Sequence, residues 1–318
     1  MTTQTHANSV IHAQGLTKTY GKFNAVDDLA MDVREGDIYG FVGRNGAGKS
    51  TTMRMICGLI VPTAGELDVL GQDPSVGGGH TGVGAIIEAP GLLDRSTAMD
   101  NLMYKATALG VPNAKAHCEE LLKIVGLENT GSKQARNFSL GMRQRLGIAL
   151  AMAGNPRILL LDEPFNGLDP EATREMRETL QKINREREMT IVVSSHVLDQ
   201  LNRFATRFGV INAGNMVLEF DSEKMADLAA GAIRVRCKNM QSCGLVLRQA
   251  LPGVDITMSD DGVYQVPSTK ATVEQVSDAL FAANQQVLEL HKTERDVEDF
   301  FLELMNKSRD AAPAAAQN

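Results

Sequence analysis

The sequence contains no tryptophan, and aromatic residues fill only 4% of its 318 positions. That is thin for a protein that holds nucleic acid by stacking bases on rings. Positive charge is also in deficit, with 32 Lys and Arg against 39 Asp and Glu and a formal net charge of -7. No long Lys/Arg run offsets this balance, so a nucleic-acid partner is not expected. Cysteine is sparse: Cys57, Cys118, Cys237 and Cys243 form no CxxC pair and no zinc spacing. They read as scattered buried thiols of a reducing compartment. Nowhere do 18 apolar residues run together, so the chain is not expected to cross a membrane by itself. The polar start, residues 1–6, lacks the apolar core of a signal peptide. A cytoplasmic chain is expected, with any membrane work done by a partner. The sequon-like Asn137-Phe138-Ser139 is then accidental.

What is present is 43% hydrophobic residues, enough for one α/β domain and a smaller second one. Residues 1–9 read as disordered, and 10–16 and 25–33 as antiparallel strands about a turn at Tyr20-Gly21-Lys22. A short apolar strand at 38–42 leads through a glycine-rich turn into a helix with Met53, Ile56, Leu59 and Ile60 on one face. Residues 97–153 look helical throughout, opened by the capping pair Thr97 and Asp100. Leu121, Leu122 and Val125 mark a later helical face there, which Gly126 ends. Ile158-Leu159-Leu160-Leu161 and residues 190–194 are continuous apolar runs, as buried parallel strands should be. A helix carrying Val197, Leu198, Leu201 and Ala205 is expected after the second. A hairpin follows at 208–211 and 216–220.

Composition shifts near residue 221. Strands at 233–237, 255–258, 262–266 and 287–291, with helices at 240–250 and 272–283, give the order βαββαβ of a ferredoxin-like unit. An amphipathic helix at 294–305 follows, and the tail at 311–318 is too simple to fold. The domains expected are therefore 10–220 and an α+β accessory domain at 221–310. That second unit would bind a ligand or extend a dimer interface, and no residue in it stands out as a site.

Gly43-Arg44-Asn45-Gly46-Ala47-Gly48-Lys49-Ser50 matches G-x-x-x-x-G-K-[ST]. Its glycines let the backbone curl so that several N–H groups point inward at phosphates. The helix that follows adds partial positive charge at the same point. Lys49 is placed to reach the β and γ phosphates, and the Ser50 hydroxyl to ligate Mg²⁺. The strand before the motif and the helix after it supply the context this mechanism demands. The contrasting Gly77-Gly78-Gly79-His80-Thr81-Gly82 fits G-x-G-x-x-G but leads into the strand-like run at 83–87, so it reads as a surface loop.

The apolar run at 158–161 ends in Asp162-Glu163. A carboxylate closing a buried strand is costly unless something pairs with it. Mg²⁺ carried by ATP is that partner for Asp162. Glu163 is placed to polarise an attacking water. His196, at the end of the next apolar run, is a candidate hydrogen-bond donor to the γ-phosphate.

Together these motifs resemble the ABC transporter ATPase family over about residues 10–220, in the family's order. The resemblance implies a P-loop NTPase of α/β class: a RecA-like core with an antiparallel β subdomain and an α-helical subdomain at about 97–153. It puts Tyr20 against adenine and the Walker A loop at residues 43–51, closing on Thr51. Walker B falls at 158–163, the D-loop at Asn166-Gly167-Leu168-Asp169 and the switch histidine at His196. Phe138-Ser139-Leu140-Gly141-Met142, followed by Arg143-Gln144-Arg145, aligns with the signature LSGGQ-x-x-R. In the family, that segment of one subunit covers the γ-phosphate held by another, so a homodimer is implied. Leu140 replaces a glycine, Met142 replaces Gln, and Glu88 stands where the Q-loop carries Gln, as a metal ligand. This combination resembles the bacitracin-resistance and lantibiotic-immunity branch of ABC exporters. ATP and Mg²⁺ are the implied cofactors, and a separate transmembrane permease the implied partner. The chain would sit on the inner face of the membrane through that permease. An importer ATPase, a non-transport ABC protein and a non-hydrolysing switch are the rival readings.

Overall fold

The computed structural model describes residues 8–76, 82–229, 231–259 and 261–293. The expected helix at 294–305, the tail at 311–318, residues 1–7 and most of the 77–82 loop lie outside the described residues. Two compact units divide the chain, one ending at Asp221 and one starting at Ser222.

The first unit opens on a long hairpin, β1 (Ser9–Tyr20) and β2 (Phe23–Arg34). Both strands outrun the stretches expected from the sequence, and β1 begins inside the segment read as disordered. Their apolar residues Ile11, Leu16, Leu29 and Val33 are fully buried. Next come β3 (Ile38–Val42) and α1 (Lys49–Ile56). The helix stops one turn earlier than its apolar spacing suggested. Gly58 takes φ 69° and turns the chain outward, leaving Leu59 66% exposed. Strand β4 (Ala64–Val69), not foreseen, pairs with β1 and completes a three-stranded antiparallel sheet in the order β2-β1-β4.

Beyond β5 (Val83–Ile86) lie three helices, α2 (Ala98–Ala108), α3 (Ala114–Ile124) and α4 (Leu140–Met152). The region is thus not helical throughout. Gly110 and Gly126, both at φ 68°, end α2 and α3, and short 3₁₀ turns fill the gap before α4. Thr97 caps α2 in a full capping box with Asp100. The chain then passes through β6 (Ile158–Leu161), α5 (Pro170–Arg187) and β7 (Thr190–Ser195), and closes with the hairpin β8 (Arg207–Asn212) and β9 (Asn215–Asp221). The expected helix after β7 is only a 3₁₀ turn at Leu198–Gln200. Leu198, Leu201 and Ala205 are buried all the same, so the apolar spacing recorded burial and not helix.

Strands β5-β6-β7-β3-β8-β9 form one sheet, parallel except for β9. Every residue of β3, β6 and β7 is buried, which explains their unbroken hydrophobicity. A polar strut ties the two sheets. Tyr39 Oη donates to Glu219 at 2.7 Å, Arg207 donates to the same carboxylate at 3.0 Å, and the Asp32 amide donates to it at 3.1 Å. Burial, then the adjoining Glu219 carboxylate, pushes the Tyr39 hydroxyl well above its usual range, so it stays a donor. Gly209 makes room for it: a Cβ there would lie 2.0 Å from Tyr39 Oη.

The second unit carries α6 (Ser222–Ala229), β10 (Ala232–Cys237), α7 (Met240–Ala250), β11 (Thr257–Met258), β12 (Tyr264–Pro267), α8 (Val273–Ala282) and β13 (Val287–Thr293). After α6, which the sequence reading did not foresee, the order is βαββαβ. The four-stranded sheet β11-β12-β10-β13 is antiparallel throughout. This is the ferredoxin-like strand arrangement, although β11 is shorter than the 255–258 strand expected. Ile233, Val235, Leu247, Val266, Val276 and Leu280 build its core.

Candidate functional site

The site is assembled where β3, β6 and β7 end side by side. The chain leaves β3 at Val42, and the Gly43 amide donates to Ser195 O of β7 at 3.1 Å. The loop then curls through Gly46 (φ 80°) and Gly48 (φ 113°) into α1. These are left-handed conformations that side chains resist. A Cβ on Gly43 would lie 2.5 Å from Ile211 O, and one on Gly48 2.7 Å from Ala25 O. Gly48→Ala is therefore expected to destabilise the fold by about 1–3 kcal/mol, read by urea denaturation, and to weaken nucleotide binding.

Lys49, only 5% exposed, turns back over the loop. Its ammonium donates to Gly43 O at 2.6 Å and Arg44 O at 3.2 Å, and meets Glu163 Oε1 at 3.1 Å. Ser50 Oγ donates to Asp162 Oδ2 at 2.5 Å. Ser194 Oγ donates to the other Asp162 oxygen at 2.6 Å and accepts from the Glu163 amide at 2.8 Å. Ser194 thus fixes both acids. Glu163 is itself left-handed, at φ 50°, which aims its side chain off the end of β6. Its second oxygen lies 2.8 Å from His196 Nδ1. Lys49, Ser50, Asp162, Glu163 and His196 therefore form one connected set across three elements.

A cavity of about 380 Å³ opens over this set. Asn45, Gly46, Gly48, Lys49, Ser50, Thr51 and Glu163 line one part, and Tyr20, Phe23 and Ala25 of the hairpin another. Tyr20 is 49% exposed and Phe23 64%. Phe23 was not singled out from the sequence. Its signal was modest, an aromatic three residues after Tyr20 across a tight turn. Of the predicted residues, Gly43, Arg44, Ala47, Asp162 and His196 do not line the cavity: Ala47 is buried, and Gly43 and Arg44 contribute their carbonyls to Lys49.

Two predicted elements stand apart. Glu88 is 70% exposed at φ 71°, and its carboxylate pairs with Arg54 of α1. Ser139 caps α4 by accepting from the Met142 amide at 3.3 Å. It is exposed, as is Leu140, whereas Gly141 is buried with its Cβ position 3.3 Å from Ala172. None of Ser139, Leu140, Gly141 and Met142 lines the cavity of its own chain. Leu140 also lies against Gly167, where an added Cβ would be 3.1 Å away. Asp169 caps α5, accepting from the Ala172 amide at 2.8 Å.

Amides and an ammonium at a helix start suit a polyphosphate. A hydroxyl beside a fixed carboxylate suits a hard cation such as Mg²⁺. Fold and site together define a P-loop NTPase. The model of the family described as "ABC transporter" matches residues 26–166. The bacitracin transport ATP-binding protein BcrA of Bacillus licheniformis is 35% identical over 94% of this chain and 98% of its own length. The lantibiotic transport ATP-binding protein SrtF of Streptococcus pyogenes is 38% identical over 69% and 95%. Methionine-import ATP-binding proteins are similar too, over 64% to 71% of their own length. Among solved structures, a dimeric ATP-binding cassette bound to ADP and phosphate in a post-hydrolysis state superposes with a TM-score of 0.61. It is 25% identical over 67% of this chain and 98% of that one. The chain belongs to the ABC transporter ATP-binding proteins.

Proposed function

We propose that this chain hydrolyses MgATP to power a separate membrane permease that exports an antimicrobial peptide, a drug or a similar compound. The single observation that carries the hydrolytic reading is the line Lys49–Glu163–His196, with contacts of 3.1 and 2.8 Å. It sets a carboxylate between an ammonium that can hold the terminal phosphate and an imidazole that can hold its oxygens. A cation bound at Ser50 and Asp162 would neutralise charge developing on the phosphates. Glu163 orients the water, Lys49 grips the phosphates and Tyr20 stacks on the base. Glu88, whose Oε1 faces Arg54, would offer its other oxygen to the metal.

Two copies act together in this reading. Ser139, exposed at the start of α4 and away from its own cavity, covers the γ-phosphate of the other chain together with the Gly141 amide. The dimeric cassette structure supports this arrangement. Ser139→Asp tests it, because Asp keeps the helix cap while adding a negative charge opposite phosphate. Turnover should fall by at least about tenfold, as expected for a like charge in a dry site, with nucleotide binding to each chain unchanged. Full ATPase activity in that variant would remove the signature from its role.

Export is favoured by the bacitracin-transport relatives that match over nearly their whole length. The permease would engage α2 and the Glu88 loop, where a cavity of about 680 Å³ is lined by Pro90, Leu93, Tyr104 and Lys105 among others. No helix among the described residues is long and apolar enough to cross a membrane. The chain would therefore sit on the cytoplasmic face through that partner. Expressing chain and permease together in a sensitive host tests the direction. Raised tolerance to a peptide antibiotic, lost in Glu163→Gln, is the expected result. Uptake of a nutrient in its place would favour import.

A further inference from the structure

Two of the four cysteines are not scattered. Cys237 and Cys243, 2% and 0% exposed, hold their Sγ atoms 2.9 Å apart in the core of the second unit. Cys237 closes β10 on the face that buries Ile233 and Val235, and a register shift after Arg236 pairs it with Val287. Cys243 sits in the first turn of α7, on the face of Leu247. That turn is fixed by backbone contacts. Asn239 accepts from the Ser242 amide at 3.1 Å, the Cys243 amide donates to Asn239 O at 3.1 Å, and the Cys237 amide donates to Met240 Sδ at 3.4 Å.

The distance discriminates between chemistries. At 2.9 Å the sulfurs lie closer than even two carbons in ordinary contact, about 3.5–4.0 Å. A zinc ion about 2.3 Å from each thiolate would spread them to roughly 3.8 Å at a tetrahedral angle, so the pair is too close to hold one. A disulfide needs about 2.05 Å, a further approach of about 0.9 Å from the observed 2.9 Å.

We propose that Cys237 and Cys243 are a redox-modification site that closes reversibly to a disulfide, stapling the start of α7 to the end of β10. The oxidant is a small-molecule disulfide such as oxidised glutathione. One cysteine thiolate attacks it and expels a glutathione thiolate. The second cysteine thiolate attacks the mixed disulfide and expels the other. Two cysteine protons are released, two electrons pass to glutathione, and one S–S bond replaces another. Desolvation, then the hydrogen bond with Cys237, pushes the Cys243 thiol up to about 12. Reaction therefore proceeds through transient opening of the unit and quickens as pH rises.

The full chain, equilibrated with graded mixtures of reduced and oxidised glutathione, tests this. One series stays folded, in urea below the unfolding transition, and one is fully denatured. Both are acid-quenched, alkylated and mapped by mass spectrometry. Cys237 and Cys243 should leave the alkylatable pool together, joined by a bond that dithiothreitol reverses. The folded chain should reach half-oxidation at an oxidant ratio at least about tenfold lower than the denatured chain, because the fold holds the two sulfurs together. Cys57 and Cys118, in the first unit, should stay alkylatable in the folded series, and Cys237→Ser should abolish the cross-link. Equal ratios in both series would overturn the proposal. So would thiols that persist in the folded chain where the denatured chain is oxidised, which would leave only a thiol–thiol hydrogen bond.

Discussion

Glu163→Gln is expected to bind MgATP as the unmodified chain does while losing turnover by about 10²- to 10⁴-fold, the range of a positioned general base. The substitution keeps the shape of the side chain and its reach to His196 while removing the charge that polarises water. The contacts that hold the two acids in place do not use that charge. The Glu163 amide still donates to Ser194, and Asp162 still accepts from Ser50 and Ser194. Binding should hold or tighten, because the carboxylate that faces Lys49 at 3.1 Å also faces an incoming phosphate. Phosphate release and equilibrium nucleotide binding, measured on the same preparation, check both halves. Undiminished phosphate release would take Glu163 out of the mechanism.

Lys49→Ala has the opposite signature, loss at the binding step itself. A charge-assisted hydrogen bond to phosphate contributes about 1.5–3 kcal/mol. At 1.4 kcal/mol per factor of ten, affinity should fall by about 10- to 10²-fold from that contact alone. The loss should exceed this, because Glu163 would then meet the phosphates without its counter-charge. Lys49 also braces the loop through Gly43 O and Arg44 O. Thermal unfolding run beside the titration separates a loosened loop from a lost phosphate contact. Unchanged affinity would refute the proposed grip.

The chemistry at this site was largely legible because it is local. A loop that wraps phosphate needs glycine at fixed spacing, and Gly46 and Gly48 do take positive φ. A carboxylate that ends a fully buried strand is conspicuous, and β6 places Asp162 and Glu163 there. Ser194 carries no such local mark. Its hold on both acids arises only when β7 lies beside β6, a tertiary pairing that local sequence does not announce. Glu88 was read by its place in a pattern, whereas its partner Arg54 lies 34 residues earlier in sequence.

Among the elements, β4 escaped because only Leu67 and Val69 of its six residues are buried. The sequence Ala64-Gly65-Glu66-Leu67-Asp68-Val69 offers a weak alternation at an edge. Helix α5 was legible but went unread. Asp169 and Pro170 announce its start, and Met176, Leu180 and Ile183 mark its buried face. The stretch after β7 shows the reverse error, since burial at three- and four-residue spacing does not require a continuous helix. The thiol pair was invisible in one dimension. Five residues lie between the two cysteines, and their sulfurs meet only when α7 packs on the end of β10, where the strand register shifts.

Calorimetric titration of the full chain with ATP, with and without Mg²⁺, tests the central claim most directly. Saturable binding of one nucleotide per chain that depends on Mg²⁺ is the predicted result. A chain that shows no Mg²⁺-dependent affinity for adenine nucleotides would contradict the account, whatever its resemblance to its relatives.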